Sequence, residues 1–588
     1  MPKVPPIQEP EDFPEDQAGP VRGANVAQTA IRNSPWVIIA IAIHAVIIAA
    51  MGMIYVQKHL KKEEAPPTSV AISKPKEETA PVIQPPEVID RKAIPKNEER
   101  EVVSYEEDTS YIPSNEPMEE DLTLKRGDPN AISNLPSGGF SGGTGMGVGG
   151  VGHYGTGKPS PFSSRRAGTG GVGRRGGPSQ ATEQAVKEGL TWLLRHQNTD
   201  GSWSASSLKQ LCKGGSNCYG GWQKLEDWYD EGLTGLALLA FLGAGYSYDS
   251  KQFVVDRVQA KKLYMGPAVK NGLTWLKNRQ DGDGAFSRHK EKERDPFIYN
   301  EALATMAMCE AYGLSQNRFW KDSAQRGVNF LVNAQKPNPS GTGLWGWRYD
   351  SRADTEGKKA QKSIDEAAFQ KLMRDADTSV TAWVVMALKS AELSGLEVPR
   401  SAFQGAMDFV KWVTNEKGQV GYMAPDGAGL PVTGSPNDHF KFYPTMAALG
   451  MCIRIFSEHN PQDPALDLAA KQLIQDLPAD SADGLSLDYY YWYYATLALN
   501  QLDGPDSPRK TGKYWSPWNK AMQDAVIKTQ SPESSTSNKQ VCPLGGWIRP
   551  DKWGHEAGPI YSTAINVLTL EVYYRYENAF GVGEKKRK

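Results

Sequence analysis

Between residues 182 and 578 the apolar positions recur in two alternating styles, and both have the period of a helix rather than a strand. The first style is amphipathic. In Gly189-Leu-Thr-Trp192-Leu-Leu-Arg-His-Gln197, Leu190, Leu193 and Leu194 share one face and the basic residues take the other; in Gly272-Leu-Thr-Trp275-Leu-Lys-Asn-Arg-Gln280 the shared face belongs to Leu273 and Leu276. Each stretch ends at a glutamine and passes through a glycine turn to an aromatic residue, Gly201 to Trp203 in one copy and Gly284 to Phe286 in the other. Looser copies run from Gly327-Val-Asn-Phe330-Leu to Gln335 and Gly346-Trp347, and from Met407-Asp-Phe409-Val to Gly421-Tyr422. Self-similarity at a roughly fixed spacing means stacked units that share a core.

The second style is apolar almost all round and rich in small residues. It comprises Thr234 to Ala240, Ala304 to Cys309, Thr381 to Leu388, Thr445 to Leu449, Ala495 to Leu499 and Thr563 to Leu570, six runs in all. A helix with no polar face must be enclosed, and Ala, Gly and Thr permit close neighbours. The amphipathic partners begin near Thr182, Gly266, Asp322, Ser401, Asp463 and Trp518. Six enclosed helices, each preceded by an amphipathic one, predict an all-α fold, an (α/α)6 double-ring toroid over residues 181–580 with a basic tail at 581–588.

The remainder of the chain is organised differently. Residues 1–34 are polar, acidic and without helical period, and read as a disordered tail. Trp36 to Val56 is an uncharged apolar run of membrane-spanning length, so 35–57 is expected to be a transmembrane helix, with Trp36 and Tyr55 as interfacial anchors. It begins too late and runs too long for a cleaved signal peptide. Residues 58–136 form a Pro-rich charged spacer, and 137–180 a Gly-rich flexible linker. Arg22 and Arg32 precede the helix and Lys58, Lys61 and Lys62 follow it, a difference too small to set orientation when a long domain follows.

Composition narrows the function classes. The chain has 588 residues and a formal net charge of −2, with no basic stripe on the repeat region, which argues against nucleic acid as a partner. Its 16 Trp and 24 Tyr fall mostly after residue 190, an aromatic excess that must line something. Of five cysteines, Cys309 and Cys452 lie in apolar helical runs and read as small buried hydrophobes. Cys212 and Cys218 flank a Gly-rich loop; they read either as a local disulfide in an oxidising compartment or as two unpaired loop thiols. No cofactor is implied, and no Cys and His pairs stand at zinc-ligand spacing.

Two resemblances enter here. Ser34-Pro35-Trp36, His44 and the Pro-rich spacer resemble the N-terminal anchor of TonB-type energy-transducing proteins; the resemblance implies single-pass membrane insertion, an extracytoplasmic C-terminal domain and coupling through His44 to ExbB/ExbD-like motor proteins. A neutral histidine tolerated in a simple anchor is the alternative. Gln197 with Trp203, Gln280 with Phe286 and Gln335 with Trp345 resemble the QW-type motif of the squalene–hopene cyclase and prenyltransferase repeat family. Tyr299-Asn-Glu-Ala, Asp377-Thr-Ser-Val, Asp488-Tyr-Tyr-Tyr and Tyr561-Ser-Thr-Ala resemble its membrane-anchored bacterial members of unassigned activity. The family likeness implies a toroid with a central cavity for an apolar substrate.

The chemistry of such a cavity is only partly present. Class II cyclases protonate an alkene or epoxide with an aspartic acid of a DxDD motif, and the nearest stretch, Asp375-Ala376-Asp377-Thr378, falls one carboxylate short. Asp375 and Asp377 are the candidate acids; Asp377 as the N-cap of a helix explains the same residue without chemistry. The Asp-x-Cys of zinc prenyltransferases and the Cys-Gly-Glu-Gln thioester string are absent, and the eight His are scattered, with His439 and His555 in loops. Asp230, Glu231 and Glu301 stand where inner helices begin and serve there either as paired carboxylates or as caps. The aromatics Trp345, Trp347, Trp383, Tyr443, Tyr489, Tyr490, Trp492, Tyr493 and Tyr561 are the candidate ligand-binding set, for an apolar isoprenoid, a peptide or a glycan. The expected function is therefore a membrane-anchored toroid that binds an apolar or extended ligand. The alternatives are a divergent class II terpene cyclase or a TonB-like force-coupled protein.

Overall fold

The computed structural model describes Phe162, Arg165, 177–211, Cys218, 227–256, 261–288, 297–425, 443–458, 460–481, 487–531 and 545–576. The chain divides into two units, Met1–Pro136 and Ser137–Lys588, and every described residue belongs to the second. The expected transmembrane helix with His44, the spacer, Cys212 and the basic tail lie outside the described residues. Among those described, no helix is long and apolar enough to cross a membrane.

Twelve helices carry the fold. In chain order they are α1 (Gln180–Arg195), α2 (Asp230–Gly243), α3 (Met265–Arg279), α4 (Ile298–Ser315), α5 (Arg318–Ala334), α6 (Thr378–Leu393), α7 (Arg400–Val413), α8 (Pro444–Glu458), α9 (Pro464–Leu473), α10 (Tyr489–Asp503), α11 (Trp515–Thr529) and α12 (Gly554–Leu570). The even-numbered helices are the ones apolar on every side. Neighbour packs on neighbour from α2 through α4, α6, α8 and α10 to α12, and α12 returns to α2. The six therefore close a ring. The amphipathic helices form a second layer: α1 sits between α12 and α2, α3 between α2 and α4, α5 between α4 and α6, α7 between α6 and α8, and α9 between α8 and α10, while α11 lies on α10 and beside α1. The double ring expected from the two styles of helix is what the contacts build.

The glutamine of the repeated phrase is a clamp between successive outer helices. Gln197 Nε2 donates to Gly201 O in its own turn and to Ala268 O of α3, at 2.9 Å in both cases. Gln280 reaches Gly284 O and Ser323 O of α5, and Gln335 reaches Trp345 O and Ala402 O of α7. A fourth copy closes the circle, because Gln530 Nε2 donates to Gly545 O and to Ala185 O of α1. Clamping also explains the glycines. Gly201 and Gly284 have φ of +96° and +100°, and a Cβ on either would lie within 2.5 Å of a carbonyl oxygen of the next outer helix.

The aromatic after each turn ties the two layers. Trp203, Trp347 and Trp547 each donate the indole N–H to a carbonyl of the preceding outer helix, Leu193, Leu331 and Val526, at 2.7–2.8 Å. Each also donates its backbone N–H to a threonine of the following inner helix, Thr234, Thr381 and Thr563, at 3.0 Å. All three indoles are fully buried, so both polar groups need these partners. The threonine in the small-residue runs is thus a ligand for the turn, not a filler.

Smaller elements lie outside the repeat. A hairpin of β1 (Phe253–Asp256) and β2 (Lys261–Tyr264) precedes α3, and two short helices, Arg352–Ala360 and Glu366–Arg374, are inserted between Trp347 and α6. Phe162 and Arg165, in the segment read as flexible linker, are buried at 1% exposure against the toroid.

Candidate functional site

The toroid has two unlike ends. Chain passes from outer to inner helices through 196–229, 280–297, 335–377, 414–443, 474–488 and 530–553, whereas several return connections are as short as 316–317, 394–399 and 459–463. The long connections all deliver the chain to the N-termini of inner helices, which meet at one end. Long loops on a rigid scaffold are where binding surfaces are built.

A chain of rings runs across that end. Tyr229, capping α2, stands 5.9 Å from Phe297; Phe297 is 5.4 Å from Tyr299 and 5.7 Å from Tyr349. The Tyr299 hydroxyl donates to Ser379 Oγ at 2.7 Å, Ser379 Oγ lies 2.5 Å from the Tyr490 hydroxyl, and the Tyr490 ring is 6.0 Å from Trp553. Lys552 Nζ lies 3.6 Å from the centroid of Tyr443. These residues belong to the first turn of, or the approach to, all six inner helices. Tyr229, Tyr299, Tyr349, Tyr443, Trp553 and Tyr561 are each only half-buried. Together they form an aromatic cup with polar edges.

Below the cup the rings are packed tight. Trp383 stacks on Tyr493 at 5.7 Å and meets Tyr494 edge-on at 5.3 Å, while Tyr490 and Tyr494 are 5.1 Å apart. Trp383, Tyr493 and Tyr494 are no more than 3% exposed, so they fill this part of the ring interior rather than lining a deep hollow. The remaining candidates point elsewhere. Trp345 packs on Phe409 and Trp412 of α7, Trp347 is the inter-layer indole described above, and Trp492 lies edge-on to Tyr489. Of the nine aromatics singled out in the sequence, Tyr443, Tyr490 and Tyr561 lie at this end, and Trp383 and Tyr493 stack beneath it.

Asp377 is fully buried and occupied twice over. One oxygen caps α6 by accepting the Val380 N–H at 2.8 Å; the other receives Arg348 Nη1 at 2.7 Å. Arg348 also donates to the Tyr422 hydroxyl at 2.9 Å and lies over the Tyr349 ring at 4.1 Å, and Tyr349 and Tyr422 share a 2.8 Å hydrogen bond. Burial pushes the Asp377 carboxyl above its ordinary value, opposed by the guanidinium and the capping amides. Asp375 is half-buried and caps the C-terminus of the inserted helix Glu366–Arg374.

Other carboxylates gather at the same end. Glu301 accepts the N–H groups of Phe286 and Ser287 and the Ser287 hydroxyl at 2.7–2.8 Å, and burial lifts its pKa to about 7. Asp488 caps α10 through the Tyr491 N–H and accepts the Trp553 indole N–H at 3.0 Å; burial lifts it to about 6. Asp551 accepts from Ser562 Oγ at 3.3 Å and is lifted to about 7 by burial and by the charge of Asp488. Asp230 is lifted to about 8 by burial, whereas Glu231 is ion-paired to Arg279 at 2.7 Å. Among the described residues no group of three or more His, Cys, Asp or Glu is arranged to hold a metal ion.

Cys218 is buried with Sγ 3.4 Å from His196 Nε2, and His196 Nδ1 lies 2.7 Å from Trp192 O. Several site residues escaped the sequence reading, namely Phe297, Tyr349, Tyr422, Arg348 and Trp553. The available signal was positional, because an aromatic precedes or opens almost every inner helix.

No family model and no curated protein matches this chain. Solved structures do. The type II terpene cyclase MstE from Scytonema aligns at 13% identity over 66% of this chain and 98% of its own, with a TM-score of 0.38. An inactive variant of an α-1,6-mannanase of Salegentibacter, in complex with α-1,6-mannotriose, aligns at 12% identity over 67% of this chain and 98% of its own, with a TM-score of 0.39. The cellobiose 2-epimerase from Bacillus thermoamylovorans aligns at 12% identity over 66% of this chain and 97% of its own, with a TM-score of 0.41. At that level the architecture of this protein rests on its own helix contacts.

Proposed function

We propose that this protein is a membrane-anchored toroid, displayed outside the cytoplasm, that binds an extended ligand across the aromatic cup at the N-terminal end of its inner helices. The observation that carries the reading is the group of half-buried rings at that end, Tyr229, Tyr299 and Trp553 among them, joined by ring contacts and by the Tyr299–Ser379–Tyr490 hydrogen bonds above a packed interior. Half-buried rings edged with hydroxyls and the charge of Lys552 offer stacking and polar contact together, which suits a glycan, a peptide or the head of an isoprenoid. A long polyprene would need a deeper hollow than the packed Trp383, Tyr493 and Tyr494 leave.

Calorimetric titration of the full chain in detergent with an oligosaccharide, an oligopeptide and a polyprenyl phosphate tests the reading. Binding of one of the three, weakened about tenfold in Tyr299→Ala or Trp553→Ala, is the expected result, since a lost ring contact amounts to roughly 0.5–1.5 kcal/mol beyond area. Binding insensitive to both substitutions overturns the site assignment.

A second reading, acid catalysis of the terpene-cyclase type, gains one point. Carboxyls that hold a proton near neutrality stand at the cup, though Asp488 and Asp551 fit that description better than Asp377, which Arg348 engages. Polyprene turnover lost in Asp551→Asn at unchanged melting temperature would support it. The force-coupled reading rests on His44 and the TonB-like anchor. Co-purification of ExbB/ExbD-like motor proteins that disappears in His44→Ala is its test.

A further inference from the structure

The end of the toroid opposite the cup is closed by residues from far apart in the chain. Arg165 Nη1 meets Glu310 Oε2 of α4 at 2.7 Å and the carbonyl of Leu242, at the end of α2, at 3.3 Å; its Nε donates to the carbonyl of Arg575 at 2.9 Å. The guanidinium lies 4.0 Å from the Phe162 ring and 5.8 Å from that of Tyr576. Glu310 also receives Arg575 Nη2 at 3.1 Å, Ser390 Oγ at 3.0 Å and the Tyr576 hydroxyl at 3.3 Å. These cations hold the Glu310 carboxyl below its ordinary range despite complete burial.

The surroundings are shaped for the incoming pair. A Cβ on Gly313 would lie 2.3 Å from the Phe162 ring, and one on Gly245 would lie 2.3 Å from the Arg165 carbonyl oxygen. Two glycines thus leave the volume that the segment fills. Charge agrees with shape. Glu571 is a second fully buried carboxylate in the same region, near both Arg575 and Arg165, and burial pushes its pKa well up. Without Arg165, the buried Glu310 carboxylate would keep only the Arg575 guanidinium.

We infer that this closed end is a binding site for an aromatic–arginine pair, and that Phe162 and Arg165 dock there as a tethered ligand rather than as passive linker. The segment is joined to α1 through a stretch of mostly glycine and basic residues. Docking therefore resembles binding in cis. Whatever draws the preceding tether away from the toroid works directly against the buried Arg165–Glu310 pair.

The test uses the full chain carrying Phe162→Ala and Arg165→Ala, with Arg165→Lys as a milder variant should the double one fold poorly. Loss of a buried partner should lower the melting midpoint by about 5 °C or more. A synthetic peptide of residues 158–168 should then raise the midpoint in a dose-dependent way, as a ligand that binds only the folded state must. The same peptide with the Phe162→Ala and Arg165→Ala replacements should not. An unchanged midpoint in the variants, equal restoration by both peptides, or restoration by neither overturns the inference.

Discussion

Replacing Asp377 by asparagine separates the two tasks that the structure gives this residue. Asparagine caps helices about as well as aspartate, so the bond from the Val380 N–H, 2.8 Å here, survives together with its contribution of about 1 kcal/mol. What disappears is the negative charge 2.7 Å from Arg348, in a pair whose side chains are 0% and 9% exposed. Stripping one partner from a buried pair costs about 3–5 kcal/mol, because the remaining charge keeps its desolvation penalty. Arg348 retains the Tyr422 hydroxyl and the face of Tyr349, which argues for the lower end, about 3 kcal/mol. Asp377→Ala should cost about 1 kcal/mol more, the lost cap. Arg348→Met in the Asp377→Asn background should recover part of the loss, since it removes the stranded charge. Urea unfolding of the full chain and the single and double variants, followed by circular dichroism, measures all four. Asp377→Asn within about 0.5 kcal/mol of the parent, where ordinary surface substitutions fall, would refute the pairing and return the carboxyl to the list of free acids.

Three other outcomes follow from the same geometry. Gln530→Ala should cost about 2 kcal/mol in the same unfolding assay, because it strands the buried carbonyl of Gly545 and removes the second bond to the Ala185 carbonyl at the seam where the outer ring closes. Gly201→Ala should destabilise by roughly 1–3 kcal/mol, since φ is +96° and the new Cβ would lie 2.5 Å from the Asn271 carbonyl oxygen. Stability should fall as pH rises from about 5 to about 8. Burial lifts Asp488, Glu301, Asp551 and Asp230 to about 6, 7, 7 and 8, so the folded chain keeps protons that the unfolded chain, with carboxyl values near 4, has already released. Glu310 is shifted downward and loses its contribution only in more acid solution, outside that window. Melting curves across the window should show the decline, flatter in Glu301→Gln; a flat or rising profile for the parent would contradict it.

The double ring was legible because each layer has its own hydrophobic signature and because the glutamine phrase is local. Gln197 and its turn glycine are four residues apart, so their partnership is written in consecutive sequence. The fourth clamp was harder to see, as residues 531–544 separate Gln530 from its Gly545-Gly546-Trp547. The site was less legible still. Arg348 and Asp377 stand 29 positions apart across two inserted helices, and nothing in either neighbourhood announces that they meet. Composition misleads at Phe162 and Arg165, where a Gly-rich stretch reads as coil although two side chains anchor it in the core. The six-residue aromatic run shows the limit of pattern alone. Tyr491 turns outward to the Leu473 and Asp476 carbonyls, Tyr490 reaches the cup, and Tyr493 and Tyr494 meet edge-on beneath it, a division set by helical rotation and not by residue type.

The convergence of six helix N-termini explains why carboxylates at the cup are weak evidence of catalysis and aromatics better evidence of binding. Each N-terminus presents unpaired N–H groups and the positive end of a helix dipole, so an acid there is accounted for by capping, as Asp377 and Asp488 demonstrate. Aromatic rings satisfy no such requirement. A helix start needs an oxygen, whereas Tyr299, Tyr349, Trp553 and Tyr561 bring apolar area to an end where water could have been left to solvate the loops. Half-burial of that area is a standing free-energy deficit unless something covers it. The opposite end meets the same difficulty with buried charges and resolves it with Arg165 from the chain itself.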